Sequence, residues 1–318
     1  LLASYLNSTY GRAWIRSCVV QQVGQANVSG GKLKDLELPL PPLNEQRRIV
    51  AKLDALQERS RRARASLDAV PALLDKLRQS ILAAAFRGDL TRDFREQHKD
   101  LEPASKLLQR IRTERRKKWE EAELAKLKAK GKAPTDDKWK AKYKEPDPVD
   151  PTGLPTLPDG WCWAKAEEVC DLITKGTTPS ADKLTHVGDV PFLKVYNLTF
   201  NGTVDFSVDP TFVAAETHHG FLARSRVFPG DVLMNIVGPP LGKVGIVPDL
   251  FPEWNMNQAI AVFRSITGLH REFLANYLLS AQSVQRAVRE GKATAGQLNL
   301  TLEICRDLPL PLCSEMEQ

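Results

Sequence analysis

Residues 38–88 read LPLPPLNEQRRIVAKLDALQERSRRARASLDAVPALLDKLRQSILAAAFRG, and their rhythm decides the fold. From Ile49 onward, Leu53, Leu56, Ser60, Ala63, Leu67, Val70, Leu74, Leu77, Ile81 and Ala84 follow at alternating steps of three and four. An apolar seam held for about five heptads predicts a long coiled-coil helix with a partner helix, because water would otherwise meet the whole stripe. Leu53, Leu56, Leu67, Val70, Leu74, Leu77 and Ile81 are the expected contact positions. Pro41 and Pro42 prevent the helix from extending backwards, Asn44 is the expected N-cap, and Glu45 suits the positive end of the helix dipole. Arg87 and Gly88 mark the end. The predicted rod, residues 44–88, is roughly 65 Å long at about 1.5 Å per residue. Pro71 breaks the composition but not the register, which leaves a kinked helix or two helices meeting there.

Outward from the rod, the chain repeats itself. Tyr5-Leu6, Gly24-Gln25-Ala26-Asn27-Val28-Ser29, Lys34-Asp35-Leu36, Pro39-Leu40-Pro41 and Glu45-Gln46 find counterparts, in order, in Tyr277-Leu278, Gly296-Gln297-Leu298-Asn299-Leu300-Thr301, Arg306-Asp307-Leu308, Pro309-Leu310-Pro311 and Glu317-Gln318. Nearly all are offset by 272, with small compensating gaps. The expectation is a duplicated domain-plus-helix unit. Residues 1–43 then read as the tail of a first globular domain, and residues 304–318 as the start of a second conserved region, so the chain reads as part of a longer two-lobed protein.

The composition, 42% hydrophobic and 26% charged over 318 residues, is that of an ordinary globular protein with room for two domains. No apolar run reaches the roughly 18 residues of a membrane-spanning helix, and LLASYLNSTYGRAW lacks the pattern of a signal peptide. Cytoplasmic location is the expectation. The five cysteines, at 18, 162, 170, 305 and 313, form no CxxC pair, so neither a zinc site nor a disulfide framework is indicated. The net charge of +6 is uneven: residues 1–98 carry 16 basic and 10 acidic groups, residues 99–145 carry 16 and 9, and residues 160–318 carry 13 and 17.

Residues 89–158 read as a basic helical segment followed by a linker. The run Arg115-Arg116-Lys117-Lys118 suits either phosphate contact or a solvated helix face. EPDPVDPTGLPTLPDG is semi-rigid because of its prolines. A second domain, residues 159–303, then opens with a short helix near Ala164–Leu172. Strand signals follow at Val190–Leu198, Val204–Val208, Val227–Val237, Lys243–Val247 and Ala259–Arg264, and a helix from His270 to about Arg289 closes it. The class is α+β, with a twisted, mostly antiparallel sheet.

No catalytic apparatus is visible. Gly238-Pro239-Pro240-Leu241-Gly242-Lys243 is a residue short of a phosphate loop and lacks its Ser or Thr, so a tight turn between strands is expected. His218-His219 have no ligand-spaced acids or cysteines, and a surface or helix-cap position outweighs a metal site. What the loops offer is Lys175, Thr177, Thr178, Ser180, Lys194, Asn197, Asn201, Asn235, Lys243, Asn257 and Gln258, side chains of the types that pair with base edges and phosphates. Any surface loop contains the same types.

In their order these pieces resemble the specificity subunits of type I restriction-modification enzymes. Pro41-Pro42-Leu43-Asn44-Glu45-Gln46-Arg47-Arg48-Ile49-Val50, Leu77-Arg78-Gln79-Ser80-Ile81-Leu82 and Ala85-Phe86-Arg87-Gly88-Asp89-Leu90 are similar to that family's central helix. Leu157-Pro158-Asp159-Gly160-Trp161, Gly176-Thr177-Thr178-Pro179, Pro191-Phe192-Leu193-Lys194-Val195, Asn197-Leu198, Pro229-Gly230-Asp231-Val232-Leu233 and Gly242-Lys243-Val244-Gly245-Ile246 resemble the framework of its target recognition domains. The resemblance implies a non-catalytic reader of double-stranded DNA, with two recognition domains held apart by antiparallel helices. It further implies methyltransferase subunits that use S-adenosylmethionine, motor-nuclease subunits that use ATP and Mg2+, and no cofactor in this chain. Two rivals stand beside it: the recognition portion of a single-chain methyltransferase-nuclease, and a coiled-coil scaffold that binds no DNA.

Overall fold

The structure, a computed structural model, describes residues 2–22, 25–131, 134, 136–294 and 297–318. In chain order its elements are α1 Leu2–Leu6, α2 Thr9–Cys18, β1 Val20–Gln22, β2 Gln25–Asn27, α3 Gly30–Lys34, α4 Leu43–Phe86, α5 Arg92–Gln97 and α6 Ala104–Ala129. They continue with β3 Cys162–Lys165, α7 Ala166–Val169, β4 Cys170–Lys175, β5 Val190–Leu193, β6 Gly202–Thr203, β7 Phe212–Val213, α8 Ala215–His219, β8 Val232–Asn235 and β9 Val237–Gly238. The last are β10 Val244–Ile246, β11 Asn255–Met256, β12 Ile260–Ser265, α9 Arg271–Leu279, α10 Ala281–Glu290, β13 Lys292–Thr294, β14 Gln297–Asn299, α11 Leu302–Asp307 and β15 Pro309–Leu312. The chain divides into two compact units, Leu1–Lys76 and Leu77–Gln318.

Helix α4 runs unbroken through Pro71, which settles the two readings in favour of one helix. It begins at Leu43, so Asn44 lies inside the first turn and does not cap it; the Gln46 side chain instead donates to the Pro41 carbonyl at 2.8 Å. Its end is a Schellman turn: Gly88 N–H bonds Ala85 O and Asp89 N–H bonds Ala84 O, with Gly88 at φ +72°. The seam faces outward, with Leu56, Leu67, Val70, Leu74, Leu77 and Ile81 all exposed and Leu53 half-buried. Only near its C-terminus does α4 enter a core, through Leu82 and Phe86.

The second unit is built on a five-stranded sheet in the order β4-β12-β8-β10-β6, antiparallel except for the β10–β6 pair. Successive side chains of a strand point to opposite faces. Val232, Met234, Ala261 and Phe263 therefore meet Leu107, Ile111, Leu274 and Tyr277 on one face, while Leu233, Ile260 and Val262 meet Trp254, Met256 and Leu193 on the other. Burial on both faces explains the near-continuous apolar strands. The β5 strand pairs with β11 and β7, and β3 pairs with β15, so the C-terminal residues belong to the body of this domain.

Several boundaries differ from expectation for local reasons. Ser280 ends α9 and caps α10 by accepting from Ser283 N–H, splitting the single helix expected over His270–Arg289. The expected helix at Ala164–Leu172 shrinks to Ala166–Val169, flanked by β3 and β4, and Val204–Val208 is no strand. The stretch read as a basic segment and linker is structural: Ala104, Leu107, Leu108 and Ile111 are core, and Trp139 and Tyr143 fold back onto Trp119 of α6.

The repeat proves stricter than the sequence suggested. A single offset of 272 maps α2 on α10, β1 on β13, β2 on β14 and α3 on the start of α11, with no gaps; it matches Leu38-Pro39-Leu40 to Leu310-Pro311-Leu312. Gly24 and Gly296, which open the most similar stretch, lie outside the described residues. Individual hydrogen bonds repeat as well. Tyr5 donates to Glu37 O at 3.5 Å as Tyr277 does to Pro309 O at 2.6 Å, and Ser8 accepts from Gly11 N–H at 3.2 Å as Ser280 does from Ser283 N–H at 3.3 Å. Pro42 O accepts from Glu45 and Gln46 as Ser314 O accepts from Glu317 and Gln318.

Candidate nucleic-acid interface

Strand register gathers most of the predicted residues at one end of the five-stranded sheet. Lys175 closes β4 opposite Ala261; Ile260, opposite Asn235, opens β12 just after Asn257 and Gln258; Lys243 leads into β10 beside Asn235; and Asn201 leads into β6. Thr177, Thr178 and Ser180 extend the same end beyond Lys175. Their loop is locked to the β11–β12 connection by Thr177 N–H to Met256 O at 3.1 Å and Gln258 N–H to Thr178 Oγ1 at 3.2 Å. Gly176 permits this approach, since a Cβ there would fall 2.1 Å from Asn257 O.

Within this end the residues differ in what they are free to do. Lys175, Thr178, Ser180, Asn201 and Gln258 are exposed, and Thr177, Lys243 and Asn257 are half-buried. Asn235 is fully buried: its amide donates to Val237 O and Pro240 O at 3.2 and 2.8 Å, and its Oδ1 accepts from Lys243 N–H at 2.9 Å. It braces the Gly238–Gly242 turn and cannot also meet a base edge. Asn197 is likewise buried, donating to Asp205 O and Val208 O, and Lys194 turns its amine towards Asp209 at 3.6 Å. Asn235 and Asn197, two of the eleven predicted DNA contacts, are thus placed as framework positions, while Lys194 stays half-buried beside Asp209.

Reasoning by composition passed over arginine, the commonest base-reading side chain. Arg224 is exposed and bonds Thr177 Oγ1 at 3.0 Å, placing a guanidinium on the loop that Thr177 and Ser180 share. Arg78, one turn before the buried end of α4, donates to the Asn201 side chain. A loop arginine flanked by strand signals was the available sign.

The acidic balance of residues 160–318 has a structural explanation. Glu168, fully buried, is held by Arg112; Asp171 is paired with Lys118; Glu167 lies near Arg115, which also donates to Cys170 O; and Glu317 is bound by Arg95. Basic groups of α5 and α6 thus neutralise several of the domain's acids. Arg116 pairs with Glu120, so three of the four residues in the run at 115–118 have an acidic partner within the chain.

His218 is buried, contrary to the expected surface position. Its Nδ1 faces the Asn255 amide at 3.0 Å and its Nε2 faces Glu253 at 2.7 Å, while Glu253 also binds Arg226. His218, His219 and Glu253 offer atoms within 4.8 Å of one another. With both His218 nitrogens engaged and an arginine on the carboxylate, the group fits a structural hydrogen-bond network and not a cation. Glu253 is held below its ordinary carboxylate range by the His218 hydrogen bond and then by Arg226.

The chain is similar to the type I restriction enzyme EcoKI specificity subunit of Escherichia coli K12, 34% identical over 115 residues, or 35% of this chain and 25% of that protein. It is 28% identical to the EcoDI specificity subunit of Escherichia coli over 149 residues, 47% of this chain and 26% of that protein. The matched region thus spans about a quarter of these relatives. A solved chain from work on complex assembly and conformational transition of the type I R-M system shares the fold, with a TM-score of 0.52 and 19% identity over 98% of this chain and 58% of that one. The model of the type I restriction modification DNA specificity domain matches residues 6–66 and 158–318, the repeated unit with the first part of α4 and the whole β3–β15 body, so the chain belongs to that family.

Proposed function

We propose that this chain reads one half of a split double-stranded DNA site as a non-catalytic specificity subunit, through the polar end of the β4-β12-β8-β10-β6 sheet. The observation that carries the reading is the convergence of Lys175, Thr178, Ser180, Asn201, Gln258 and Arg224 on one rigid edge. Side chains fixed on strand ends can discriminate base edges because their positions are set by the ladder. In this reading α4 is the spacer between two readers, and its exposed seam docks a second helix and methyltransferase subunits. Adenine methylation with S-adenosylmethionine and ATP-dependent cleavage with Mg2+ belong to the partner subunits.

The test is binding of the assembled complex to duplexes carrying a host sequence protected by adenine methylation, across a salt series. Affinity should favour the specific duplex, and its logarithm should fall linearly with the logarithm of salt concentration. Binding indifferent to both sequence and salt would refute the reading.

A further inference from the structure

The hairpin that carries Asn201 into the polar end of the sheet turns through the three-residue loop Phe200-Asn201-Gly202, between the paired residues Leu198 and Val204. Gly202, at φ +79°, takes the left-handed position that closes such loops. Thr199 ties the loop through its Oγ1, which donates to Thr203 O at 3.0 Å and accepts from Asn201 N–H at 3.0 Å, and its carbonyl accepts from Val244 N–H at 2.9 Å, fixing the loop to β10. Neither the turn nor the core needs a phenylalanine at position 200. Turn positions favour Gly, Pro, Asn, Asp and Ser, and Leu198 and Val204 already supply the hairpin's contacts with the cluster around Trp254. Phe200 is 47% exposed and joins no hydrophobic cluster among the described residues.

Two cations flank this ring. Lys243 Nζ lies over it, 5.9 Å from its centroid, and Arg78 donates to the side chain of the adjoining Asn201. The more exposed Phe221 stands in a mixed setting, on a groove lined by both Lys183 and Glu216. Phe200 therefore combines an apolar surface with phosphate-binding charge on the same line of strand ends that the proposed reading lays against base edges. Among the donors and acceptors of the major groove, the apolar group is the C5-methyl of thymine. With Lys243 over one face, the ring offers its edge and its other face, which suits contact with a methyl group and not insertion between base pairs, where both faces must be free.

We infer that Phe200 is a specificity-determining residue that reads one thymine of the half-site by contact with its C5-methyl group. The inference rests on the DNA reading proposed above and adds to it the identity of one base.

The test uses the assembled complex and its specific duplex, with each thymine of the site replaced in turn by deoxyuridine, which removes the methyl group alone. One replacement should weaken binding by the parent about fourfold, equivalent to ~0.8 kcal/mol at ~1.4 kcal/mol per tenfold. With Phe200→Ala, that duplex and its thymine counterpart should bind equally. Phe200→Leu, which keeps an apolar side chain, should retain most of the difference, and Phe221→Ala all of it. Thermal melts of each variant check folding, and the paired comparison cancels any effect that the substitution has on the protein alone. A parent complex that tolerates deoxyuridine at every thymine, or a sensitivity that survives Phe200→Ala, overturns the inference and leaves the DNA reading standing. A parent with no preference for the specific duplex overturns both.

Discussion

Arg112 of α6 reaches across to Glu168 of α7, whose carboxylate is fully buried, with Nε 2.8 Å from Oε1; the other carboxylate oxygen accepts from Lys165 N–H at 2.8 Å. Removing the guanidinium would leave a buried charge without its counter-ion. Arg112→Ala should destabilise the second unit by about 3 kcal/mol, while Arg112→Ala with Glu168→Gln should cost clearly less than that. Urea denaturation of the two variants measures the difference.

In the proposed reading, the polar end of the sheet divides into base-reading and bracing side chains, which mutations should separate. Gln258→Ala should leave the melting temperature unchanged and relax one base position by about 1–3 kcal/mol, and Lys175→Ala, if it meets a phosphate, should lower the salt slope by about 1 without changing preference. Asn235→Ala should cost about 1–3 kcal/mol of stability, because it strands buried partners at Val237, Pro240 and Lys243. Binding titrations beside thermal melts distinguish the two classes.

The seam predicts a similar split along one helix. Leu67→Asp and Leu77→Asp, at residues 68% and 57% exposed, should leave the chain folded yet weaken its assembly with partner helices by size analysis. Phe86→Ala should instead cost about 3–5 kcal/mol, since it empties a core position against Tyr277 and Phe273.

Glu253 has a folded pKa below its unfolded value, so its contribution is present above the ordinary carboxylate range and is lost as pH falls through the folded value. Glu253→Gln should flatten the acid limb of the stability profile below the ordinary carboxylate range relative to the parent. Thermal melts across that range provide the check.

The long helix and the duplication were legible because both are written in spacing: a stripe from Ile49 to Ala84, and paired motifs at a constant offset. The strand positions were legible because a sheet buried on both faces leaves apolar runs. What stayed hidden depends on distant partners. Nothing local distinguishes Asn235, which braces a turn, from Gln258, which faces solvent, and no spacing rule announces that α6 supplies both core leucines and counter-ions for acids more than 50 residues away. Arg224 escaped because its neighbour Thr177 lies 47 residues earlier.

The width of the polar edge is itself a ruler. Five strand ends separated by about 4.8 Å span roughly 19 Å, and a duplex advances about 3.4 Å per base pair. In the proposed reading, with the rim laid along the DNA axis, its strand ends alone span about six consecutive base pairs, which sets the scale of the word that one domain can spell out directly.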